Sequence, residues 1–133
     1  METFELEIAT PQRLVVRASV KEAQVPAANG YLGILPEHAP LLSELGTGEV
    51  SYTAADGHAA KLLVSGGFLE VQPDKTVLLA DVAELPEEID LSAAKTELET
   101  AQRQAGSSDP ATDYDAATHE VALAETRLAV GKK

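Results

Sequence analysis

Few side chains in this sequence have the types and spacing that catalysis or metal binding requires. The histidines His38, His58 and His119 lie in separate predicted elements without ligand spacing. The chain has no cysteine, no G-x-x-x-x-G-K-[ST] phosphate loop and no G-x-S-x-G nucleophile elbow. Paired acids such as Glu87 and Glu88 are typical of solvated helix ends. We therefore predict a chain that is not an enzyme, with no catalytic residue, no metal site and no cofactor.

The composition argues against several classes of partner. A chain of 133 residues supports one domain, or one domain with a small appendage. Its net charge of −12 argues against nucleic acid and against direct binding to anionic lipid. No apolar run approaches the roughly 20 residues of a membrane span, and no export signal is visible at the N-terminus. We expect any link to a membrane to pass through another protein.

The segment from Asn29 to Val50 combines turn residues with apolar ones. Its four glycines and two prolines favour a shaped loop, because glycine adopts backbone angles that other residues avoid and proline fixes its own φ. We predict that it joins strands without forming a regular element of its own. Part of it must pack on a core and part is offered to a partner. The apolar side chains concerned are Leu32, Ile34, Leu35, Leu41, Leu42 and Leu45.

Alternating apolar and polar residues predict short antiparallel strands. Residues 4–8 and 14–21 follow a period of two and are expected to form a hairpin, and Val25 starts a further short strand that Pro26 ends. Asp56-Gly57 predicts a two-residue hairpin turn, and Ser65-Gly66-Gly67 predicts a bulge or a close backbone approach. Further strands are predicted at residues 50–54, 58–64, 68–71 and 76–83. The fold predicted for residues 1–84 is an antiparallel β-sandwich or flattened barrel.

Apolar spacing changes to alternating steps of three and four in residues 85–133, which predicts an antiparallel two-helix hairpin. Asp90 is the expected N-cap of the first helix, and either Asp109 or Asp113 caps the second. The two stripes are Leu91, Ala94, Leu98, Ala101 and Ala105, then Tyr114, Ala117, Val121, Ala124 and Leu128. A seam rich in alanine is weak, because one buried methyl group contributes only about 0.8 kcal/mol. We therefore expect a helix pair that can detach, as a two-state switch requires.

Two motifs are similar to those of the epsilon subunit of bacterial F-type ATP synthases. The first reads GILPEHAPLL from Gly33 to Leu42; the second reads SGGFLEVQP from Ser65 to Pro73 and is followed by VLLAD. The resemblance covers nearly the whole chain. It implies a central-stalk rotor subunit that couples proton translocation to ATP synthesis, at the cytoplasmic face of the bacterial plasma membrane. The implied partners are the gamma subunit, the membrane c-ring and the alpha/beta hexamer.

The resemblance also implies contact residues in the first motif. Tyr31, Glu37 and His38 would lie near the c-ring, whereas Pro40, Leu41, Leu42 and Ser43 would approach the gamma subunit. Relatives often carry an acid where Tyr31 stands, so either Glu37 supplies the charge here or aromatic packing replaces it. From the residues alone, the His38 ring satisfies a backbone carbonyl or contacts a neighbouring subunit.

In the family, the helices either fold on the sandwich or extend and restrain ATP hydrolysis. Some relatives bind ATP through an I/L-D-x-x-R-A motif, which corresponds here to Ile89, Asp90, Ala93 and Ala94, with Ala93 in place of arginine. A carboxylate alone lacks the cation that phosphate recognition favours, so we expect weak ATP binding or none.

Inhibition of hydrolysis in relatives relies on basic side chains in the helices. Residues 86–133 carry ten acidic and five basic side chains, which makes attraction to an acidic surface poor. Arg103 and Arg127 could still make local pairs, so we expect modest inhibition. The alternative is a free-standing ligand-binding β-sandwich with a helical appendage, which the shortage of aromatic residues disfavours; a small hydrolase lacks both a nucleophile and a base.

Overall fold

Seven strands, one turn of 3-10 helix and two α-helices follow one another in the computed structural model, which describes residues 2–131. The strands are Phe4–Ala9 (β1), Leu14–Ala27 (β2), Gly30–Ile34 (β3), Leu41–Glu44 (β4), Thr47–Ala54 (β5), Ala59–Val71 (β6) and Lys75–Glu84 (β7). The 3-10 turn spans Pro86–Glu88, and the helices span Leu91–Ala105 (α1) and Tyr114–Val130 (α2). The predicted order of β-sheet and then helix pair is confirmed.

The sheet closes on itself. Strand β1 pairs with β7 in parallel and with β2 in antiparallel orientation, and β7, β6, β5 and β2 complete the ring by antiparallel pairing. Strand β3 is added to β2, and β4 to β6. This arrangement is a flattened barrel, and its interior is filled by aliphatic side chains. The largest buried ones are Leu6, Ile8, Val20, Val25, Ile34, Val50, Leu62, Val64, Leu69, Val71 and Leu78.

Two expectations for strands were wrong. Val25 does not start a separate strand, because β2 continues through Pro26 to Ala27 after a bulge between Val20 and Glu22. At Pro26, β2 pairs with β3 and no longer with β5. The N–H that proline lacks therefore removes little of the hydrogen bonding of the sheet. The segment 29–50 does form regular elements, namely β3, β4 and the start of β5, because pairing with distant strands outweighs its turn-forming composition.

The Asp56-Gly57 turn is longer than predicted. The loop has four residues, Ala55 to His58, closed by a 2.7 Å hydrogen bond from the Ala54 N–H to the His58 carbonyl oxygen. The Asp56 carboxylate accepts a hydrogen bond from the His58 N–H (2.9 Å), and Gly57 has a φ of 94°. The aspartate side chain therefore sets a wider turn than the two-residue type.

The close backbone approach predicted at Ser65-Gly66-Gly67 is confirmed. Strand β6 runs through it, but Gly66 and Gly67 have φ values of 70° and 105°. A Cβ atom at Gly67 would collide with the carbonyl oxygen of Leu79. These glycines let β6 exchange β5 for β4 as its neighbour without interruption.

The helix pair forms as predicted and lies against the sheet. Asp90 caps α1 through the Ala93 N–H, and of the two candidates for α2 it is Asp113 that caps it, through the Ala116 N–H. Asp109 instead accepts a hydrogen bond from the Ala111 N–H in the connecting turn. The seam between the helices buries four alanines of the predicted stripes, which are Ala94, Ala101, Ala117 and Ala124.

A second face of α2 attaches the pair to the sheet. Leu123 and Val130 are buried against Leu63 of β6, and Val82 and Ile89 pack at the edge of this cluster. The predicted stripe of α2 omitted both Leu123 and Val130. The alternation of three and four identified the face towards α1, and the tertiary fold shows that this second face is buried as well.

Candidate interaction surfaces

An apolar band crosses the outer face of the barrel. Phe68 in β6 is the register partner of Leu79 in β7, Leu79 is the partner of Ala9 in β1, and Ala9 is the partner of Leu14 in β2. Paired residues in a sheet present their side chains on the same face. Phe68, Leu79 and Leu14 are 56%, 59% and 54% exposed, so three large apolar side chains lie in one row open to solvent.

Leu42 extends this apolar band onto β4. It is 71% exposed and pairs with Glu70, which lies two residues from Phe68 on the same face of β6. An open groove of about 610 Å³ runs beside the band. Its walls are Ala9, Thr10, Pro11, Glu44, Leu45, Gly67, Phe68, Leu79, Ala80 and Asp81. Leu42 and Phe68 are diagonal neighbours, and each has a glutamate as its direct register partner, Glu70 and Glu44 respectively. Exposed apolar side chains interspersed with acidic ones have the character of a protein-docking site.

The other residues predicted near Leu42 contribute less apolar surface. Pro40 precedes β4 and is exposed, and Leu41 is 38% exposed and pairs with Val71. The Ser43 hydroxyl donates a hydrogen bond to the Glu44 carbonyl oxygen (3.2 Å). Of the four positions, Leu42 is the one that joins the apolar band most directly.

Tyr31 lies in β3 with its ring largely exposed. Its hydroxyl oxygen accepts a hydrogen bond from the Glu49 N–H (3.0 Å), so the polar end of the side chain is satisfied within the molecule. The ring passes over Gly48, where an added Cβ would collide with the tyrosine hydroxyl. Tyr31 therefore presents an aromatic surface in a fixed orientation.

Glu37 and His38 lie in the turn between β3 and β4. Glu37 has a φ of 67°, and its N–H donates a 2.8 Å hydrogen bond to the Pro73 carbonyl oxygen, which ties this turn to the β6–β7 turn. The His38 Nδ1 donates to the Ala39 carbonyl oxygen (2.7 Å). The interpretation that this ring satisfies a backbone carbonyl is confirmed, whereas its contact with a neighbouring subunit stays a prediction.

Arg127 of α2 joins three elements through its guanidinium group. Its Nε and Nη2 donate to the two carboxylate oxygens of Glu84 in β7 (2.9 and 2.8 Å), and its Nη1 donates to Glu97 in α1 (2.8 Å). The hydrogen bonds to Glu84 raise the pKa of Arg127 above its usual value. Charge-assisted, two-point pairs of this kind are stronger and more specific in direction than single contacts.

The connection between sheet and helices is held by a second charged pair. Arg13, after the β1–β2 turn, donates to the Glu88 carboxylate (2.6 Å), and the Leu85 N–H donates to the same oxygen (2.8 Å). The hydrogen bond from Arg13, and then that from Leu85, lowers the pKa of Glu88 below its usual value. The 3-10 turn is therefore fixed at both of its ends.

The four residues that match the ATP motif of relatives all have structural roles. Ile89 packs on the Leu63 cluster, Asp90 caps α1, Ala93 supplies the capped N–H and Ala94 is fully buried in the helix seam. Three of them line a cleft of about 170 Å³ that also includes Arg127. The remaining walls are Arg13, Glu84, Glu88 and Glu97.

Arg103 and Arg127 were predicted together but the structure separates their roles. Arg103 lies on the exposed side of α1, where its Nη2 contacts the Thr100 hydroxyl at 3.5 Å. The docking role of Arg127 was missed, although a signal was present: Leu123, Arg127 and Val130 follow i, i+4, i+7 spacing and share one helix face.

Within residues 2–131, no group of three or more histidine, aspartate or glutamate side chains could hold a metal ion. Over the same residues, no helix has the length and apolar character that crossing a membrane would require. An exposed apolar band beside an open groove, and a helix pair packed on a barrel, are features of a class of protein: an interaction subunit of a larger assembly.

Comparison with known proteins identifies the assembly. The family model for the ATP synthase delta/epsilon chain β-sandwich domain matches residues 3–86. The ATP synthase epsilon chain of Solibacter usitatus is 52% identical over 134 aligned residues, which cover 99% of this chain and 98% of that one. The Moorella thermoacetica epsilon chain is 41% identical, with 96% of each chain covered. The chain belongs to the ATP synthase epsilon chain family.

Solved structures support the fold. One chain of the Euglena gracilis mitochondrial ATP synthase superposes with a TM-score of 0.85 at 21% identity, and the match covers 97% of this chain and 81% of that one. That structure contains OSCP, F1 and the c-ring in rotational state 1. A chain of the Tetrahymena thermophila mitochondrial central stalk and c-ring gives a TM-score of 0.59 at 14% identity, with 94% and 96% covered. At these identities the similarity is one of fold.

Proposed function

We propose that this chain is a non-catalytic rotor subunit of the ATP synthase central stalk, which couples proton translocation to ATP synthesis and restrains ATP hydrolysis through α1 and α2. In this proposal residues 1–84 form the docking domain and residues 85–133 the regulatory hairpin. Family membership supports the assembly, and the apolar band is the observation that carries the docking role.

The gamma subunit is the proposed partner of the apolar band. Burying a side chain the size of leucine or phenylalanine contributes about 1.5–3 kcal/mol. Leu42, Phe68 and Leu79 together could therefore support a stable contact. Of the predicted gamma-contact residues Pro40, Leu41, Leu42 and Ser43, Leu42 lies at one end of this band, which supports that assignment.

The c-ring is the proposed partner of Tyr31, Glu37 and His38. The Tyr31 hydroxyl is bonded inward to Glu49 and its ring is exposed, which favours aromatic packing over a charged contact. We therefore expect this contact to depend weakly on salt. The chain would then be held at the cytoplasmic face of the bacterial plasma membrane through the complex.

The alpha/beta hexamer is the proposed target of the released helices. The segment from Pro86 onward has twice as many acidic as basic side chains, so its attraction to an acidic surface is poor and the restraint on hydrolysis is modest. Arg127 could contribute only after leaving Glu84, whereas Arg103 is already exposed.

ATP is not expected to act as a regulatory ligand. Alanine stands at position 93, and the nearby guanidinium of Arg127 already faces two carboxylates. A triphosphate would have to displace Glu84 and Glu97 and would meet their negative charges in the same cleft.

Reconstitution with gamma, c-ring and alpha/beta subunits tests the proposal. We expect Leu42→Glu and Phe68→Glu to reduce recovery with gamma at least about tenfold, because each places a charge in an apolar contact. The control outside the band is Tyr31→Ala, which removes the exposed ring and should keep gamma recovery but weaken proton pumping in membranes. Full recovery of both band variants would refute docking through this surface.

The same complexes test regulation. Removing residues 86–133 should raise ATP hydrolysis about two- to threefold, a modest effect that corresponds to less than about 1 kcal/mol. Stoichiometric recovery of the shortened chain with gamma shows that its barrel is intact. Unchanged hydrolysis would contradict the inhibitory role and leave the docking role standing. The alternative of a free-standing ligand-binding module is not favoured by the family membership.

A further inference from the structure

Arg127 connects the barrel to the helix pair. These are the two parts that a helical switch must separate or keep together. All three of its side-chain nitrogens donate to carboxylates: two to Glu84 on the barrel and one to Glu97 on α1. The Arg127 and Glu84 side chains are 20% and 25% exposed, so the pair is sheltered from solvent.

We propose that the Arg127–Glu84 pair is a latch that holds the helix pair on the barrel without a bound nucleotide. This inference rests on the proposed regulatory role of the helices and assigns the contact that sets their resting position. Glu97 orients the arginine from α1, and Glu84 is the group that anchors it to the barrel.

Apolar contacts alone give the docked helices limited support. The cluster between helix and barrel consists of Leu63, Leu123 and Val130, with two partly buried neighbours at its edge. A sheltered, two-point charged pair can therefore decide the docking equilibrium, whereas a fully exposed pair contributes little.

The two glutamates should contribute unequally. When the hairpin leaves the barrel as a unit, the contact between Arg127 and Glu97 can travel with it, because both residues belong to the helix pair. The pair with Glu84 must break, because Glu84 stays on β7. Removal of Glu84 should therefore release the helices as fully as removal of Arg127, and removal of Glu97 should release them less.

Amide hydrogen exchange of α2, measured by mass spectrometry on the isolated full-length chain, tests the latch. We expect Arg127→Gln and Glu84→Gln each to accelerate exchange in residues 114–130 about tenfold, and Glu97→Gln to have a smaller effect. The matched control is Arg103→Gln, which removes an arginine of the same hairpin from an exposed site and should leave exchange unchanged. Combining Arg127→Gln with Glu84→Gln should add little to either variant alone.

Two further experiments test the latch: one raises the salt concentration, and the other exchanges the two charged residues. High salt should accelerate α2 exchange in the original chain and have less effect in the Arg127→Gln variant. The exchanged pair Glu84→Arg with Arg127→Glu, made together with Glu97→Gln so that no carboxylate faces the new glutamate, should restore part of the protection that Arg127→Glu alone removes.

Three results would overturn the latch. The first is an Arg127→Gln variant that exchanges like the original chain, and the second is an Arg103→Gln variant that exchanges as fast as Arg127→Gln. The third is acceleration that spreads equally into β1–β7, because Arg127 would then support the whole fold. Since this readout needs no partner, release of α2 with no change in ATP hydrolysis of the complex would refute the proposed regulation alone.

Discussion

At the scale of single residues, charged side chains in this chain fix geometry. Asp90 and Asp113 cap helices, Glu88 binds both Arg13 and the Leu85 N–H, and Arg127 is shared by two glutamates. The excess of acids therefore includes groups with defined structural partners. Changes of charge at these positions should alter the fold locally before they alter any interface.

Glu88 offers a pH-dependent test at this scale. Because hydrogen bonds lower its pKa in the folded chain, its ionised form stabilises the fold at pH values above the ordinary glutamate value of 4.5. This stabilisation is lost as the pH falls through the lowered folded-state value. We expect Glu88→Gln to lower the melting temperature by about 2–3 °C at neutral pH, with the difference shrinking in acid.

Circular dichroism measures this effect if thermal unfolding is followed at several pH values from about 3 to 7. This range of about four units brackets the ordinary pKa of a glutamate. Glu87→Gln is the matched control, because Glu87 is the exposed neighbour in the same 3-10 turn. A difference between the original chain and Glu88→Gln that is constant across this range would contradict the assigned role of the charge.

At the scale of elements, α2 has two contact faces of different character. One face packs alanines against α1, and the other places Leu123 and Val130 on β6. Close helix packing through alanine aligns the two helices but buries little area. The leucine and valine therefore provide most of the apolar docking energy.

Leu123→Ala tests this division. Truncating a buried leucine to alanine costs about 2–5 kcal/mol, and we expect the lower part of that range because the site is at the barrel surface. Urea unfolding followed by far-UV circular dichroism should show the helices lost at lower denaturant concentration. Leu128→Ala, a half-buried leucine of the same helix outside the cluster, should have a smaller effect. Equal effects of the two substitutions would show that Leu123 has no special docking role.

Local patterns predicted the elements whose signals lie within a few residues, such as the alternation in β1 and the N-cap at Asp90. They failed where the outcome depends on distant partners. Strands β3 and β4 lie in a glycine- and proline-rich segment and exist because β2 and β6 pair with them. The roles of Leu123 and Arg127 were missed for the same reason, since the barrel that they contact is distant in sequence. Leu42, by contrast, was singled out from its motif and lies on the apolar band, while its contact with gamma stays a prediction.

At the scale of the whole molecule, two units meet at one charged cleft. The 3-10 turn at Pro86–Glu88 connects them, and Arg13 and Arg127 reach the cleft from the barrel and from α2. Each of these arginines faces a glutamate at 2.6–2.8 Å. Both arginines of the cleft are therefore paired, and its lining carries more carboxylates than cations, whereas a phosphate site needs cations that are free to bind the ligand.

Thermal unfolding with added Mg-ATP tests this conclusion. A site with a micromolar dissociation constant would be saturated at millimolar ATP and would stabilise the folded chain by about 2.7–4.1 kcal/mol. For a chain of this size that energy corresponds to a rise in melting temperature of roughly 10 °C. We expect a shift below about 1 °C, because the arginine donors are occupied and two carboxylates would repel the phosphates. Mg-GTP is the matched control for non-specific effects of nucleotide and metal. A rise of several degrees with Mg-ATP alone would show that ATP can displace Glu84 and Glu97, and that the helix pair is held by ligand as well as by the latch.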